Sequence, residues 1–361
     1  MLADIRWRHL ALAALVCLGL TGCADPDGIL RIVLIPKGLT HEHWQSILRG
    51  GERAAADLDA KGMKTRIIWD GPLRERDSLA QIRIVDRRVC TGVDGIILAP
   101  QHSRTMAAPV QRGLDHGVPT VVIDSDLADP DLYVKYVATD NYNGGRLAAQ
   151  RLLQVLRAEG KPAPRLVLFR YQVGSESTDQ RERGFEDYVN QVIEEQKKKG
   201  EPTITWLSKD KYAGATKDSA IKEATPLVNR LRDEIDGVFA PNESSASGML
   251  ETLKSLGLNK KVRLLGFDSS APLLQGLDDG NLDGLILQDP YRMGYLSVWM
   301  LAHHLHGFDV NAGGKDKRLS TGEYLITKDN LHDRATQELF RPDLQVQRTI
   351  AVPPFPKRAQ P

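Results

Sequence analysis

His41-Glu42-His43 sets two imidazoles two positions apart, and His303, His304 and His306 crowd three more into four residues. Imidazole is a common metal ligand, but side chains two apart reach one ion only from extended backbone, and His41 and His43 have no third or fourth ligand nearby. His303 and His306 share one side of a helical pattern, which a solvated face explains. No metal is expected at either group. The sequence also lacks a Gly-x-Ser-x-Gly elbow, a dinucleotide glycine fingerprint and a P-loop. Nucleophile, dinucleotide and phosphate chemistry thus have no motif to stand on, and no cofactor is expected.

The three cysteines carry a different chemistry. Arg6, Arg8 and His9 precede an apolar run over residues 10–20, shorter than the roughly 20 residues a spanning helix needs; this is signal-peptide architecture. The run ends in Leu20-Thr21-Gly22-Cys23, which resembles the lipobox of bacterial lipoproteins. That resemblance implies a signal peptide over 1–22, lipid attachment at the Cys23 thiol, a linker over 23–28, and a protein held on the outer side of a membrane. Cys90 is then the one thiol left, so no intrachain disulfide can form. It ends the helical pattern of 82–90 and reads as a packed residue without a role.

The elements that must position any site follow from hydrophobic periodicity. Lys and Arg number 48 against 47 Asp and Glu, a net charge of +1, so no broad field invites nucleic acid or another polyanion. A chain of 361 residues exceeds what one core usually serves, which predicts two lobes. Apolar runs at 30–35, 65–69, 95–98 and 120–123 read as buried strands. Between and after them, 43–59, 74–89 and 104–116 carry apolar residues at helical spacing. The pattern restarts after Asn141, with strands near 166–169, 203–206, 237–239, 262–265 and 284–287 and helices over 144–159, 179–199, 215–231, 244–256 and 292–306. Two βαβ series without a Ser/Gly/Pro-rich linker predict two doubly wound sheets joined by short hinge strands, with a site in the cleft between them. After about residue 329 periodicity fades, and Val352-Pro353-Pro354-Phe355-Pro356 reads as a loosely packed or disordered tail.

Seven phrases at strand ends and helix starts make the pattern specific: Val93-Asp94-Gly95-Ile96-Ile97-Leu98-Ala99-Pro100, Gly117-Val118-Pro119-Thr120-Val121-Val122-Ile123-Asp124, Ala138-Thr139-Asp140-Asn141, Gln180-Arg181-Glu182-Arg183-Gly184-Phe185, Val238-Phe239-Ala240-Pro241-Asn242-Glu243, Leu265-Gly266-Phe267-Asp268 and Leu287-Gln288-Asp289-Pro290. In this order, over about 29–327, they resemble the periplasmic sugar-binding proteins of the ribose-binding type. The resemblance implies an α/β fold of two doubly wound parallel-sheet lobes joined by a hinge, the type I periplasmic binding protein. It places one lobe at 29–139 plus about 289–316, the other at 140–288 plus about 317–329, and leaves 330–361 as the tail. It also implies a monomer that is not an enzyme and hands its ligand to the permease of an ABC transporter.

Carried over residue by residue, the resemblance implies that Asp124 and Asp268 accept from paired hydroxyls, that Arg181 reaches sugar oxygens, and that Asn242 and Gln288 read them with amides. Asp140 stays a hinge or cap residue. Trp44 stands where the family has a stacking aromatic, and Tyr212 is the expected aromatic of the second lobe. His41, His43 and Ser125 depart from the ribose pattern and are where specificity is expected. The chemistry is self-consistent, because a sugar or polyol offers adjacent hydroxyls that both donate and accept, and carboxylates, a guanidinium and amides saturate them. The competing readings are a sensor that presents its ligand to a membrane receptor, and an enzyme using Asp124, Asp268 and Arg181 for acid–base work.

Overall fold

The computed structural model describes residues 27–358 except 313 and 315. The expected signal peptide and Cys23 lie outside the described residues. No described helix is long and apolar enough to cross a membrane.

The first sheet uses β1 (Leu30–Ile35), β2 (Thr65–Trp69), β3 (Gly95–Leu98), β4 (Thr120–Ile123), β5 (Lys135–Ala138) and β11 (Arg318–Ser320), in the order β11-β5-β4-β3-β1-β2, all parallel. The second uses β6 (Arg165–Arg170), β7 (Thr205–Tyr212), β8 (Gly237–Phe239), β9 (Arg263–Phe267), β10 (Gly284–Leu287) and β12 (Tyr324–Ile326), in the order β12-β10-β9-β8-β6-β7, with β12 antiparallel. Strands buried on both faces explain the continuous apolar runs. In β1, Ile32 and Leu34 pack with α1 (Glu42–Asp59) and α9 (Pro290–Leu305). Val33 and Ile35 face α2 (Ser78–Cys90) and α3 (Ala107–Asp115) on the other side. The second sheet is sandwiched likewise, between α4 (Asn141–Ala158) with α5 (Glu176–Lys199) on one face, and α6 (Lys217–Leu231), α7 (Glu243–Ser255) and α8 (Ala271–Asp278) on the other.

Each sheet carries one helix pair crossing at backbone contact. A Cβ on Gly50 of α1 would collide with the Tyr291 carbonyl, and one on Gly294 of α9 with the Ile47 carbonyl; Gly145 of α4 and Gly184 of α5 stand in the same relation to the Arg181 and Tyr142 carbonyls. These close approaches hold α1 and α5, which carry His43, Trp44 and Arg181, in place.

Four expectations are corrected. β11, within the stretch expected in the second lobe, pairs with β5 of the first sheet, because its backbone completes that sheet's edge. Residues 330–358 are not loose: α10 (Arg334–Phe340) buries Leu339 in the second lobe's core, and Ile350, Val352 and Phe355 pack on the first. Arg348 forms a bidentate pair with buried Asp289 at 2.5 and 2.9 Å. This strap also covers part of the face read as solvated, where His303 stacks on Trp299 and meets Phe355, while His306 stays exposed. Burial and the Arg358 guanidinium push His304 down to about 4. Cys90 is exposed rather than packed, since it ends α2 beyond the last buried turn. Apolar patterning alone also missed β5, α8, β11, β12 and the two strap helices, α10 and α11 (Pro342–Gln345), all of them short.

Candidate functional site

The chain turns sharply at the carboxyl ends of β4 and β9, and there Asp124 (φ 61) and Asp268 (φ 66) adopt left-handed backbone. For a non-glycine residue this costs ~1–2 kcal/mol, a cost that Asp bears more readily than most residues, and it turns both side chains the same way at the same place in the two sheets. The neighbouring strands hold both turns: Asp124 N–H donates to Val137 O and Asp268 N–H to Ile286 O. Both carboxylates face a cavity of about 350 Å³ between the lobes, within the size range of small-molecule sites.

Asp124 lies 2.7 Å from Lys37 Nζ and 3.3 Å from His43 Nε2. Burial alone would raise its pKa, but Lys37, His43 and Arg181 outweigh it and hold the carboxyl well below the usual range. Lys37 also donates to Ser125 Oγ (2.6 Å) and Ser177 Oγ (3.2 Å). Arg181 is 2% exposed: Nε donates to Asn141 Oδ1, Nη1 donates to Pro241 O and lies 3.6 Å from Asp268, and the guanidinium sits 3.8 Å over Phe267. Gln288 Nε2 donates to Asp268 Oδ1 at 2.5 Å. Arg181 Nη2, Gln288 Oε1, Ser175 Oγ and Ser270 Oγ are buried among the cavity-lining residues without a hydrogen-bond partner.

His41, at the start of α1, pairs through Nδ1 with Glu243 of the other lobe at 2.8 Å and lies 3.9 Å from Glu75. Its pKa rises to about 9, chiefly through the Glu243 hydrogen bond; burial opposes the rise and Glu75 adds to it. His43 meets Trp44 edge-on at 4.7 Å. The two histidines thus serve different partners, and among the described residues no cluster suited to a metal ion is found. Trp44 lines the cavity, packs in the first core and donates from Nε1 to Glu75 Oε1.

Eight of the ten expected ligand residues therefore line one cavity: His41, His43, Trp44, Asp124, Arg181, Asn242, Asp268 and Gln288. Two do not. Ser125 lies beneath the cavity, tying Lys37 to Ser177 of the second lobe. Tyr212 ends the polar edge strand β7, 40% exposed beside Arg170, because the register shifts of β7 against β6 leave it opposite Arg170, one residue short of the cavity-lining Tyr171. Asn242 lines the cavity, but its amide is engaged in capping α7, accepting from Ser245 N and donating to Ser244 Oγ.

Sequence reasoning missed Lys37, Glu75, Tyr171, Ser175, Ser177 and Glu243 of the lining. Lys37 and Tyr171 follow β1 and β6 as Asp124 follows β4, so the strand-end rule would have found them. Glu75 sits in a loop with no signal.

The lobes touch. Tyr171 donates to Glu75 Oε2, His41 pairs with Glu243, Ser125 donates to Ser177, and Ser103 N–H donates to Gly174 O.

Residues 32–308 match the family described as periplasmic binding protein domain. The chain is similar to the ribose import binding protein RbsB of Bacillus subtilis (strain 168), at 28% identity over 274 residues, covering 75% of this chain and 80% of that protein. It is also similar to a xylitol-binding protein of Mycolicibacterium smegmatis, at 26% over 280 residues, covering 78% and 75%. Among solved structures, a carbohydrate transporter solute binding protein from Agrobacterium radiobacter in complex with D-arabinose superposes with a TM-score of 0.76 at 31% identity, covering 86% of this chain and 99% of that one.

Proposed function

Because the chain belongs to the periplasmic binding protein domain family, a family of periplasmic or extracellular binding proteins rather than enzymes, we propose that its cleft captures one neutral monosaccharide or polyol and delivers it to the permease of an ABC importer. The observation that carries this reading is the polar lining of the cavity: Asp124 and Asp268 bring acceptors, Arg181 donors and Gln288 both, beside the flat face of Trp44. Adjacent hydroxyls, each able to donate and accept, match that mixture of donors and acceptors. The cations lining the cavity are already matched: Lys37 with Asp124, His41 with Glu243, Arg181 with Asp268. An anionic ligand would meet carboxylates without a free counter-charge, which favours a neutral solute. The relatives named for ribose and xylitol, and the structure with D-arabinose, support the same class.

The protein works as a monomer, anchored by lipid at Cys23. Ligand binding shifts it toward the closed lobes that the permease recognises, by as much as the ligand's affinity for closed exceeds that for open. Ligand contact falls to His41, His43, Trp44, Asp124, Arg181, Asp268 and Gln288. The test is a thermal-shift screen over pentoses, hexoses and polyols, followed by calorimetry on Asp124→Ala and Arg181→Ala. Each variant should stay folded and lose binding of the sugar that stabilises the wild type. Normal binding by both overturns the site.

A further inference from the structure

We infer that Glu75 is a positioning residue that assembles the ligand slot as the lobes close, by holding one aromatic of each lobe on a single carboxylate. Oε1 accepts from Trp44 Nε1 at 2.7 Å, and Oε2 accepts from the Tyr171 hydroxyl at 2.8 Å. Trp44 belongs to the first lobe and Tyr171, which follows β6, to the second; both line the cavity and both are almost fully buried. The inference rests on reading this cleft as the sugar site.

The loop carrying Glu75 is fixed to the first lobe before closure. Leu39 N–H donates to Pro72 O, and Gln101 Nε2 donates to both Arg74 O and Lys37 O. The loop also rests on Gly38, where a Cβ would stand 3.0 Å from Glu75 Cγ. Glu75 and Trp44 therefore form a prepared half-site. Tyr171 arrives with the second lobe, and its phenol finds the one acceptor oxygen that Trp44 leaves open. An unmatched phenol hydroxyl at that depth would oppose closure, so the Tyr171–Glu75 bond belongs to the closed state and to the ligand's residence in it.

The experiment measures binding and stopped-flow kinetics of D-ribose, D-arabinose and xylitol on the wild type, Tyr171→Phe, Glu75→Ala, Glu75→Gln and the Glu75→Ala/Tyr171→Phe double variant. With any sugar the wild type binds, Tyr171→Phe should dissociate it about tenfold faster or more, as loss of a hydrogen bond to a charged acceptor implies. Association and the sugar-free Tm should stay unchanged. Glu75→Ala should be weaker than Tyr171→Phe, Glu75→Gln should recover part of the loss, and the double variant should bind no worse than Glu75→Ala. A purely structural residue would instead lower the sugar-free Tm and leave dissociation alone. Wild-type dissociation from Tyr171→Phe, or additive losses in the double variant, overturn the inference. Failure of the wild type to bind any of the three sugars overturns the sugar reading, and this inference with it.

Discussion

Ligand affinity should fall as pH rises from 6.5 to 10, because closure gives His41 a carboxylate from the other lobe. The His41 pKa rises from 6.5 to about 9, which corresponds to ~3 kcal/mol at 1.36 kcal/mol per pKa unit. The paired side chains keep 29% and 28% of their exposure, and Glu75 on His41's own lobe supplies part of the rise with the lobes apart. Solvent screening and that shared part leave ~1–2 kcal/mol for closure itself, about a tenfold change in affinity. A raised pKa means the closed state binds the proton more tightly, so the contribution is complete below about pH 6.5 and lost as pH passes about 9. Glu182 is pushed to about 7, chiefly by burial, but it faces Arg170 and the Tyr171 amide within the second lobe and affects open and closed forms alike. Calorimetry of the bound sugar across this range, in buffers of different ionisation enthalpy, should show weakening binding and uptake of a fraction of a proton between pH 6.5 and 9. Glu243→Gln should remove both. A flat wild-type profile, or a Glu243→Gln profile that declines like the wild type, refutes the reasoning.

Gly184→Ala forces a methyl into the Tyr142 carbonyl and should cost ~1–3 kcal/mol in thermal or urea unfolding. It should also weaken sugar binding by displacing Arg181 one turn earlier on α5; wild-type affinity in a folded variant would show that this crossing does not position the arginine. Arg348→Met strands Asp289, which is 0% exposed, and should destabilise by ~3 kcal/mol. Adding Asp289→Asn should restore part of that, and an unchanged Tm in Arg348→Met would mean the pair does not secure the strap to the start of α9. Tyr212→Ala should bind sugar as the wild type does, and a loss measured by calorimetry would return Tyr212 to the site.

The two sheets were legible in the sequence because a parallel strand buried on both faces is a local run of apolar residues, as in Ile32 to Ile35 or Gly95 to Leu98. Asp124, Asp268 and Gln288 came from the family resemblance, and they end such runs, where open α/β sheets present their ligand side chains. Arg181 and Trp44 came from the family resemblance, and both line the cavity.

Only the tertiary structure decided the remainder, because it depends on pairs far apart in the chain. Glu75 acquires its place by meeting Trp44 and Tyr171, and no local pattern around residue 75 encodes that meeting. Ser125 and Asn242 have the expected residue types, but their polar atoms are engaged by Lys37 and Ser177, and by the cap of α7. Tyr212 matched by type and lies outside the cleft, because the irregular pairing of an edge strand moves its end. Residues 330–358 have too little periodicity to announce a packed strap; their order comes from apolar surface and a buried carboxylate offered by the two lobes. Sequence alone determined which residues could bind a polar solute, and the approach of one lobe to the other determined which of them are free to do so.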